Sequence, residues 1–457
     1  MKRLLWCLLG ALPAQALTLN EAIQIAGEQD PAFQAQLSRT NADQEAVAQV
    51  RSRLFPQVSF EASRELQERR LPVANIGGQP TFIDTGSSDG WNRTDSNTLT
   101  IEQVLFDSVL YAEIREARAG TQVTLAQLEQ SRLDLVQGII EDYIATLKQA
   151  ETVALLDQEI TSVRQSLKLA WSRFLDGTVR ETEALRAEGQ VLSVVNQREG
   201  ALSEFQSQLD LLAQRLGKST DSLMGMDPQT AVLPEFEVDE EQAEAASPDL
   251  LVPRRQQEAA EASLSVRRNG YYPTIDLSYT SERADGFRRG PDLGSTSDDQ
   301  REVRRDNTAT ITFSWDLYTG GNRTSRVREA EANVQAAGFD LQASERAWRF
   351  DLASAQRRAR LLETTQKSLK VALEAFEKVA VEQRAAYQAG LIDIATVLQA
   401  ESDLAASRAE FVIAKYDAIL AQTELRRLSG GLDEEFFQQI DDLFSRKITV
   451  DEVLASR

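Results

Sequence analysis

The chain carries few of the side chains on which enzymes usually rely. It contains no histidine and one cysteine, Cys7, so the usual general base and the commonest metal ligand are absent. The sequence shows no glycine-rich phosphate loop and no cluster of metal ligands. An enzyme therefore has little support, and we expect no catalytic, cofactor-binding or metal-binding residues.

The charge balance excludes a second class of function. The sequence has 71 acidic and 50 basic residues, which gives a formal net charge of -21. The phosphates of a nucleic acid would repel such a polyanion. We therefore expect no nucleic acid among its partners.

Residues 1–16 have the features of a secretory signal peptide. Two basic residues precede an apolar run at 4–12, and Ala14 and Ala16 supply the small residues of a cleavage site. An uncleaved membrane anchor is the weaker alternative, because a run of about nine residues cannot span about 30 Å of hydrocarbon. We expect a mature chain that begins at Leu17 and has no cysteine, hence no disulfide and no acyl anchor.

The rest of the chain is organised around an internal repeat. A shift of about 213 residues places Gly177 on Gly390 and Gly217 on Gly430 without a gap. A register held for roughly a hundred positions indicates a duplicated structural unit. In the first copy, apolar residues step alternately by three and four, at Val153, Leu156, Ile160, Val163, Leu167, Ala170 and Phe174. Because this spacing continues for about 65 residues without a proline, it predicts a long coiled-coil helix rather than an ordinary core-facing stripe.

Both copies show the same order of elements: helix, strand hairpin, long helix, glycine turn, returning helix. The opening helices are expected to be continuous, the first about 35 residues long and the second from about residue 240 to 269. The tail is expected to be partly disordered, because it has no counterpart in the repeat. The predicted boundaries are 1–16 for the signal peptide, 17–217 for the first repeat, 218–235 for the linker, 236–431 for the second repeat and 432–457 for the tail.

Four segments alternate apolar and polar residues, which predicts strands at about 57–70, 95–106, 273–284 and 306–317. A length of about 9 to 12 residues with one apolar face suits a tilted strand of an outer-membrane barrel, but half-buried soluble hairpins show the same alternation. Export of the chain and long polar loops favour the membrane. So do aromatic residues at the opposite strand ends, where they would form an interfacial girdle: Phe55, Phe106, Tyr272, Trp315 and Tyr318.

Membrane strands impose a requirement on assembly. Four strands cannot close a barrel, and open edges are not tolerated in lipid, so several copies must contribute strands to one barrel. Two arginine pairs, Arg69-Arg70 and Arg288-Arg289, begin the long loops, where guanidinium groups can pair with the phosphates of outer-membrane lipid. Ordinary solvated loop charge is the alternative and the preferred interpretation of these arginines.

Several motifs are weak singly but specific in their order, spacing and duplication. They are Leu17-Thr18-Leu19-Asn20-Glu21-Ala22, Asp30-Pro31, Phe55-Pro56, Val104-Leu105-Phe106-Asp107 and Trp315-Asp316-Leu317-Tyr318-Thr319-Gly320-Gly321. In these the chain resembles the TolC-like outer-membrane efflux family over about residues 17–432. The resemblance implies a mainly helical fold with a small β part, in a trimer that shares one twelve-stranded outer-membrane barrel and one long periplasmic helical barrel.

The resemblance also implies function and location. Members of this family sit in the outer membrane of Gram-negative bacteria and extend into the periplasm. They dock onto a periplasmic adaptor and an inner-membrane pump, and they conduct substrates passively as the exit duct of a tripartite efflux or type I secretion system. Drug, protein and metal export all stay open at this point, although the absence of histidine and the presence of only 3 methionines disfavour a metal-chelating tunnel.

In that family the ends of the helical pairs close the tunnel through contacts between tyrosine, arginine and acidic side chains. The resemblance places Gly177 and Gly390 at these ends, the periplasmic turns. It places Tyr387 at the position of the tyrosine and Glu183 at the position of its acidic partner. The alternative for Tyr387 and Glu183 is a solvated pair worth under about 1 kcal/mol.

Other positions depart from the family pattern. Ile392 stands where the resemblance requires the arginine, and Thr396 and Gln399 stand where it requires inward aspartates. Thr396 and Gln399 are therefore candidate gate residues only by position, and no strongly charged ring is expected at their level.

A periplasmic coiled-coil adaptor, or another scaffolding protein of an export complex, is the alternative function. Such a protein also carries a long helical hairpin. It is expected to hold one hairpin within a β-rich chain, whereas two hairpins and two strand pairs repeat in this sequence.

Overall fold

The computed structural model describes residues 16–70, 89–226, 236, 238–289 and 299–455. The predicted signal peptide up to residue 15 lies outside the described residues, as do the side chains of the two arginine pairs. The chain divides into two compact units. Unit 1 contains Met1–Thr40, Thr124–Arg254 and Asp340–Arg457, and unit 2 contains Asn41–Val123 and Arg255–Phe339.

The described elements confirm a mainly helical fold with a small β part. The helices are α1 Leu19–Gln29, α2 Pro31–Ser52, α3 Ser108–Leu175, α4 Glu181–Leu216, α5 Glu240–Ala246, α6 Pro248–Asn269, α7 Asn322–Gln388, α8 Ile394–Ser429, α9 Glu434–Leu443 and α10 Val450–Ala455. The strands are β1 Gln57–Arg70, β2 Asp89–Asp107, β3 Ser222–Gly225, β4 Thr274–Arg289, β5 Asp299–Ser314 and β6 Arg446–Thr449.

The internal repeat extends to individual backbone bonds. Helices α3 and α7 have 68 and 67 residues, and α4 and α8 have 36 each. The turn glycines Gly177 and Gly390 have φ of 71° and 78°, a left-handed conformation that other residues adopt at a cost. Their amides donate to the carbonyls of Phe174 and Tyr387 respectively, at 2.9 Å in both copies. The two turns are therefore built in the same way.

The opening helix of each repeat is broken, which corrects the expectation of continuous helices. The breaks fall at Asp30 and at Ser247, whose ψ angles of 116° and 121° are extended. Each of these residues precedes a proline, Pro31 or Pro248, and the proline ring disfavours the helical conformation of the residue before it.

In unit 2, four antiparallel strands form one sheet in the order β1-β2-β4-β5. Strands β2, β4 and β5 continue further toward the long loops than predicted, whereas β1 ends at Arg70. An ion pair lies along the extension of the second hairpin, where Arg301 Nε is 2.9 Å from Asp285 Oδ1, and another joins the strands of the first hairpin, where Arg64 Nε is 2.6 Å from Asp95 Oδ1. Opposite charges on facing strands stabilise the pairing in these polar stretches.

At the other end of the sheet, β5 stops at Ser314 rather than near residue 317. Ser314 pairs with Thr274, the first residue of β4, so no partner remains beyond it. Trp315 and Tyr318 consequently follow the strand instead of lying within it.

The edge strands of this sheet carry exposed apolar side chains. On β1, Val58 and Phe60 are 65% and 69% exposed. On β5, Ile311 and Phe313 are 69% and 60% exposed. Exposure of several large apolar side chains on strands marks a surface that another apolar phase or another chain covers.

The C-terminal segment is ordered and packs into the core of unit 1, so the expected disorder is wrong for residues 434–455. Helix α9 buries Phe436 and Ile440 completely, and Phe444 and Ile448 follow at 3% and 8% exposure. The carboxylate of Asp433 caps the helix by accepting from the amide of Phe436 at 3.0 Å.

A second, two-stranded sheet joins this segment to the linker. Strand β6 pairs antiparallel with β3, which lies within the predicted linker, and Leu17 forms a parallel bridge to Leu223. The Tyr143 hydroxyl donates to the carbonyl of Leu17 at 2.8 Å. The start of the described chain, the linker and the C-terminal segment therefore share one core.

Across the described residues, no helix combines the length and the hydrophobicity that crossing a membrane requires.

Candidate functional site at the helical turns

Near the turns of unit 1, the helical pair α3/α4 packs against the pair α7/α8. One apolar cluster joins the four helices: Val163, Ala170, Ala184, Ala187, Val191, Tyr387, Ile394, Val397 and Leu398. We call this contact the in-chain seam. Its small and β-branched residues let the helices approach closely, so a polar side chain placed in the seam must find its partners there.

Tyr387 is the largest side chain of the in-chain seam, and only 1% of its surface is exposed. Its hydroxyl donates to Glu183 Oε2 at 3.4 Å, a long hydrogen bond between α7 and α4. Burial raises the pKa of Tyr387, and the neighbouring carboxylate of Glu183 raises it further. The tyrosine therefore stays neutral and acts as the donor.

Arg173 completes the contact from α3. Its guanidinium donates to the carbonyl of Tyr387 and lies over the tyrosine ring, with Cζ 4.8 Å from the centroid. A cation at this distance over an aromatic face is attracted by the ring. Gly390 leaves room for this arginine, because a Cβ there would lie 3.0 Å from the guanidinium.

Sequence reasoning missed Arg173. The resemblance directs attention to position 392, where Ile392 is partly buried against the apolar cluster. The repeat register is the signal that could have found Arg173. It makes Arg173 equivalent to Ala386, the residue before Tyr387, so the two positions lie at the same distance from their turns. The cation thus comes from the other helical pair.

Thr396 and Gln399 do not join Tyr387 and Glu183. Both are exposed and bind acids of their own helix or its cap. The Thr396 amide and hydroxyl donate to Asp393 Oδ1 at 3.1 and 2.8 Å, which caps α8 and lowers the pKa of Asp393. The Gln399 amide donates to Asp403 Oδ1 at 2.8 Å.

A second polar contact crosses the in-chain seam further from the turns. Glu401 on α8 is 3% exposed, and its Oε1 accepts from Ser166 on α3 and Arg384 on α7, each at 2.9 Å. The pKa of Glu159 is raised, first by burial and then by the charge of Glu401. Sequence reasoning missed Glu401, because the burial of a charged residue is not visible in the sequence.

The five aromatic residues predicted to lie at a membrane interface are in unit 2, near one end of the sheet. Each is exposed, by 40% to 88%: Phe55, Phe106, Tyr272, Trp315 and Tyr318. The Trp315 indole donates to the carbonyl of Tyr271 at 3.1 Å, so its ring is held in place while its face remains exposed.

Among the described residues, no group of three or more His, Cys, Asp or Glu side chains is arranged to hold a metal ion. The polar groups at the turns are paired as donors and acceptors. These contacts join the pair α3/α4 to the pair α7/α8 when they are formed, and the two pairs can separate when they break.

Comparison with known proteins decides what kind of protein carries this arrangement. The family model described as outer membrane efflux protein matches residues 22–218 and 241–431. The chain belongs to the outer membrane efflux protein family. It is therefore an exit channel in the outer membrane of a Gram-negative bacterium, extending into the periplasm, and the alternative of an adaptor is set aside.

Individual relatives span nearly the whole chain. Outer membrane protein TolC of Escherichia coli (strain K12) is 23% identical over 98% of this chain and 90% of that protein. Alkaline protease secretion protein AprF of Pseudomonas aeruginosa is 22% identical over 95% of this chain and 90% of that protein. The solved CmeC outer membrane channel of Campylobacter jejuni matches with a TM-score of 0.71 at 16% identity, covering 93% of this chain and 89% of that one. The structural likeness supports the shared fold of this efflux family.

Proposed function

We propose that three copies of the chain close one outer-membrane barrel from their four-stranded sheets. The observation that carries this proposal is the pair of open edges, β1 and β5, in the described sheet. Phe60 and Phe313 on these edges are 69% and 60% exposed. An open edge in hydrocarbon leaves backbone groups unsatisfied at several kcal/mol each, so β1 of one copy pairs with β5 of the next.

The assembly is tested on the protein purified in detergent. Native mass spectrometry is expected to give three chains per particle, and circular dichroism is expected to show that the strands persist. A stable monomer with the same strand content would contradict the shared barrel.

We further propose that the turn region is the gate and the docking point for the adaptor. Each turn lies at the opposite end of a long helix from the strand before it, so Gly177 and Gly390 are the points of these helices farthest from the membrane. Tyr387 with Glu183 ties the two helical pairs together, and opening requires the pairs to separate. Thr396 and Gln399 are exposed on α8 and remain candidate gate residues by their position in the sequence.

The channel conducts passively in this proposal, without chemistry of its own. An inner-membrane pump supplies the energy, and an adaptor joins the pump to the turns. Five exposed aromatic residues lie in the interface of the outer membrane, where their rings suit the headgroup layer: Phe55, Phe106, Tyr272, Trp315 and Tyr318. We also propose the repeat boundaries 17–217 and 236–431, with β3 in the linker between them.

Export is tested in a Gram-negative strain that lacks its own exit channel. Expression of the chain together with a cognate adaptor and pump is expected to restore release of the pump's substrate into the medium. Retention of that substrate in cells that assemble the trimer would contradict the proposed duct. Comparing a secreted protease with a small toxic compound as substrates tests which class the channel serves.

A further inference from the structure

The four-stranded sheet of unit 2 has two faces, and the strand register assigns each side chain to one of them. Phe60 pairs with Leu99, and Tyr279 pairs with both Ile101 and Ala309. Because side chains alternate along a strand, residues an even number of steps from these five share their face. We call this the apolar face, and we call the opposite one the polar face. The register therefore assigns a face to every charged side chain of the strands.

The charges nearest the long loops are sorted between the two faces. Over residues 63–67, 92–97, 282–287 and 301–306, the apolar face carries five arginines and two aspartates, a net charge of +3. The polar face of the same segments carries four acids and one arginine, a net charge of -3. We call the five arginines of the apolar face the arginine belt: Arg64, Arg93, Arg283, Arg301 and Arg305.

The arginine belt lies about one membrane thickness away from the interfacial aromatic residues. Along β4, Arg283 follows Tyr272 by 11 residues, and along β5, Arg305 precedes Trp315 by 10. A tilted strand crosses the hydrocarbon layer in about 9 to 11 residues. The aromatic residues lie on the helix side of the sheet, so in the proposed channel they mark the periplasmic interface. The arginine belt then lies at the outer interface, on the face turned toward lipid.

Two arginines of the belt oppose each other across neighbouring strands. Arg283 and Arg305 are direct partners in the register of β4 and β5, and both are exposed. Within the described residues neither forms an ion pair, whereas each of the other three arginines of the belt binds an aspartate. Like charges directly opposite each other destabilise a sheet. An anion bound between the two guanidinium groups would offset this repulsion.

Neighbouring side chains on the apolar face add to this pair. Asn97 of β2 pairs with Arg283 from its other side and is exposed, so its amide group can donate to the same anion. Val303, two residues from Arg305, is 48% exposed, and Leu66 on β1 is 68% exposed. Cationic donors interspersed with exposed apolar side chains suit an anionic amphiphile better than a free anion.

We propose that Arg283 and Arg305 bind a phosphate group of an outer-leaflet lipid, whose acyl chains lie along the apolar face below them. Guanidinium groups pair with phosphate through two parallel hydrogen bonds, which a carboxamide in their place cannot reproduce with charge. The proposal rests on the barrel proposed above, because the barrel turns the apolar face toward lipid. It does not involve the arginine pairs that begin the long loops.

Native mass spectrometry in detergent tests the site, because one spectrum shows both the number of chains and the number of bound lipids. The probe is diphosphoryl lipid A, titrated beside the same lipid from which both phosphates have been removed. Arg305→Gln is compared with Arg304→Gln, the matched control, which removes the same charge from the adjacent residue on the polar face. The double variant Arg283→Gln with Arg305→Gln removes both proposed ligands.

The unmodified trimer is expected to bind diphosphoryl lipid A more tightly than the lipid without phosphates. Arg305→Gln is expected to weaken this binding about tenfold and the double variant about a hundredfold, because each removes charged hydrogen bonds to phosphate. Arg304→Gln is expected to bind as the unmodified trimer does. Circular dichroism is expected to show the same strand content in every variant.

Three outcomes would overturn the phosphate site. Equal weakening by Arg304→Gln and Arg305→Gln would show that only net charge matters. Equal binding of the lipid without phosphates would show an apolar contact alone, and displacement of the lipid by an equal concentration of inorganic phosphate would show a site for a free anion. Trimers with any of these results remove the phosphate site alone, whereas monomers that keep arginine-dependent binding support the site and contradict the shared barrel.

Discussion

Arg173 crosses from α3 to α7, where its guanidinium carbon lies 4.8 Å from the centre of the Tyr387 ring. The same guanidinium donates to the carbonyl of Tyr387. One side chain therefore binds both the ring and the backbone of the residue that the family resemblance places at the gate. The resemblance expects an arginine at position 392, but this chain provides one on the facing helix.

We predict that Arg173→Ala raises the open probability of the channel in planar bilayers. A partly buried cation–π contact is worth about 1 kcal/mol, so the closed-to-open ratio is expected to fall about fivefold. The control is Arg180→Ala, which removes the same charge from an exposed position at the same turn. Equal behaviour of the two variants would show that only net charge matters.

We predict that Glu401→Gln destabilises the in-chain seam. The change keeps the shape but leaves Arg384, whose side chain is 34% exposed, without its charged partner. After allowance for solvent screening, the loss in the free energy of unfolding is expected to be about 2 kcal/mol. Denaturant unfolding in detergent measures it. Glu129→Gln, in an exposed pair with Arg132, is the control and is expected to change by less than about 0.5 kcal/mol.

The C-terminal segment gives a prediction about packing. Phe436→Ala is expected to lower the free energy of unfolding of unit 1 by about 3 to 5 kcal/mol, because its fully buried ring leaves a cavity. Protease digestion is expected to cleave the variant's C-terminal segment faster. Gln438→Ala, at an exposed position of the same helix, is expected to behave as the unmodified chain. Unchanged resistance in Phe436→Ala would contradict the packed position of α9.

We predict that Glu159 makes the free energy of unfolding depend on pH. Its folded pKa is raised above the ordinary value of 4.5, first by burial and then by Glu401. The folded chain thus binds this proton more tightly than the unfolded chain, so the stabilisation is present below the ordinary pKa and is lost as pH rises through the raised one.

Glu159→Gln is always neutral and removes this loss. The stability of the variant relative to the original chain is therefore expected to grow as pH rises above 4.5. Unfolding measured at several pH values checks this, with Glu129→Gln as the exposed control. A difference that does not vary with pH would contradict a raised pKa of Glu159 in the folded chain.

The sequence predicted the features that repeat. A register shared by two copies specified the long helices, the turns at Gly177 and Gly390, and the four membrane-type strands, because periodic burial leaves a periodic pattern. The resemblance also brought Tyr387 and Glu183 together, and the structure places them in contact, although their role in gating stays a prediction.

The missed features have no periodic signal. The breaks at Asp30 and Ser247 follow from the prolines after them, which the expectation of continuous helices overlooked. Strands β3 and β6 have four residues each, too few for an alternating pattern. The cation of Arg173 depends on which faces of two distant helices meet, and that is a property of tertiary packing.

This chain is an outer-membrane channel, and we propose that contacts across the in-chain seam hold it closed at its turns. Single-channel recording in planar bilayers tests it most directly, by comparing the unmodified trimer with the double variant Tyr387→Phe and Glu183→Ala. Gln388→Ala, exposed and adjacent to Tyr387, serves as the matched control. The double variant is expected to have a higher conductance and an open-to-closed ratio raised about tenfold, which corresponds to the loss of about 1.4 kcal/mol. Trimers whose conductance and open probability match the unmodified protein would contradict a gate at these residues, and trimers that insert without conducting would contradict the channel.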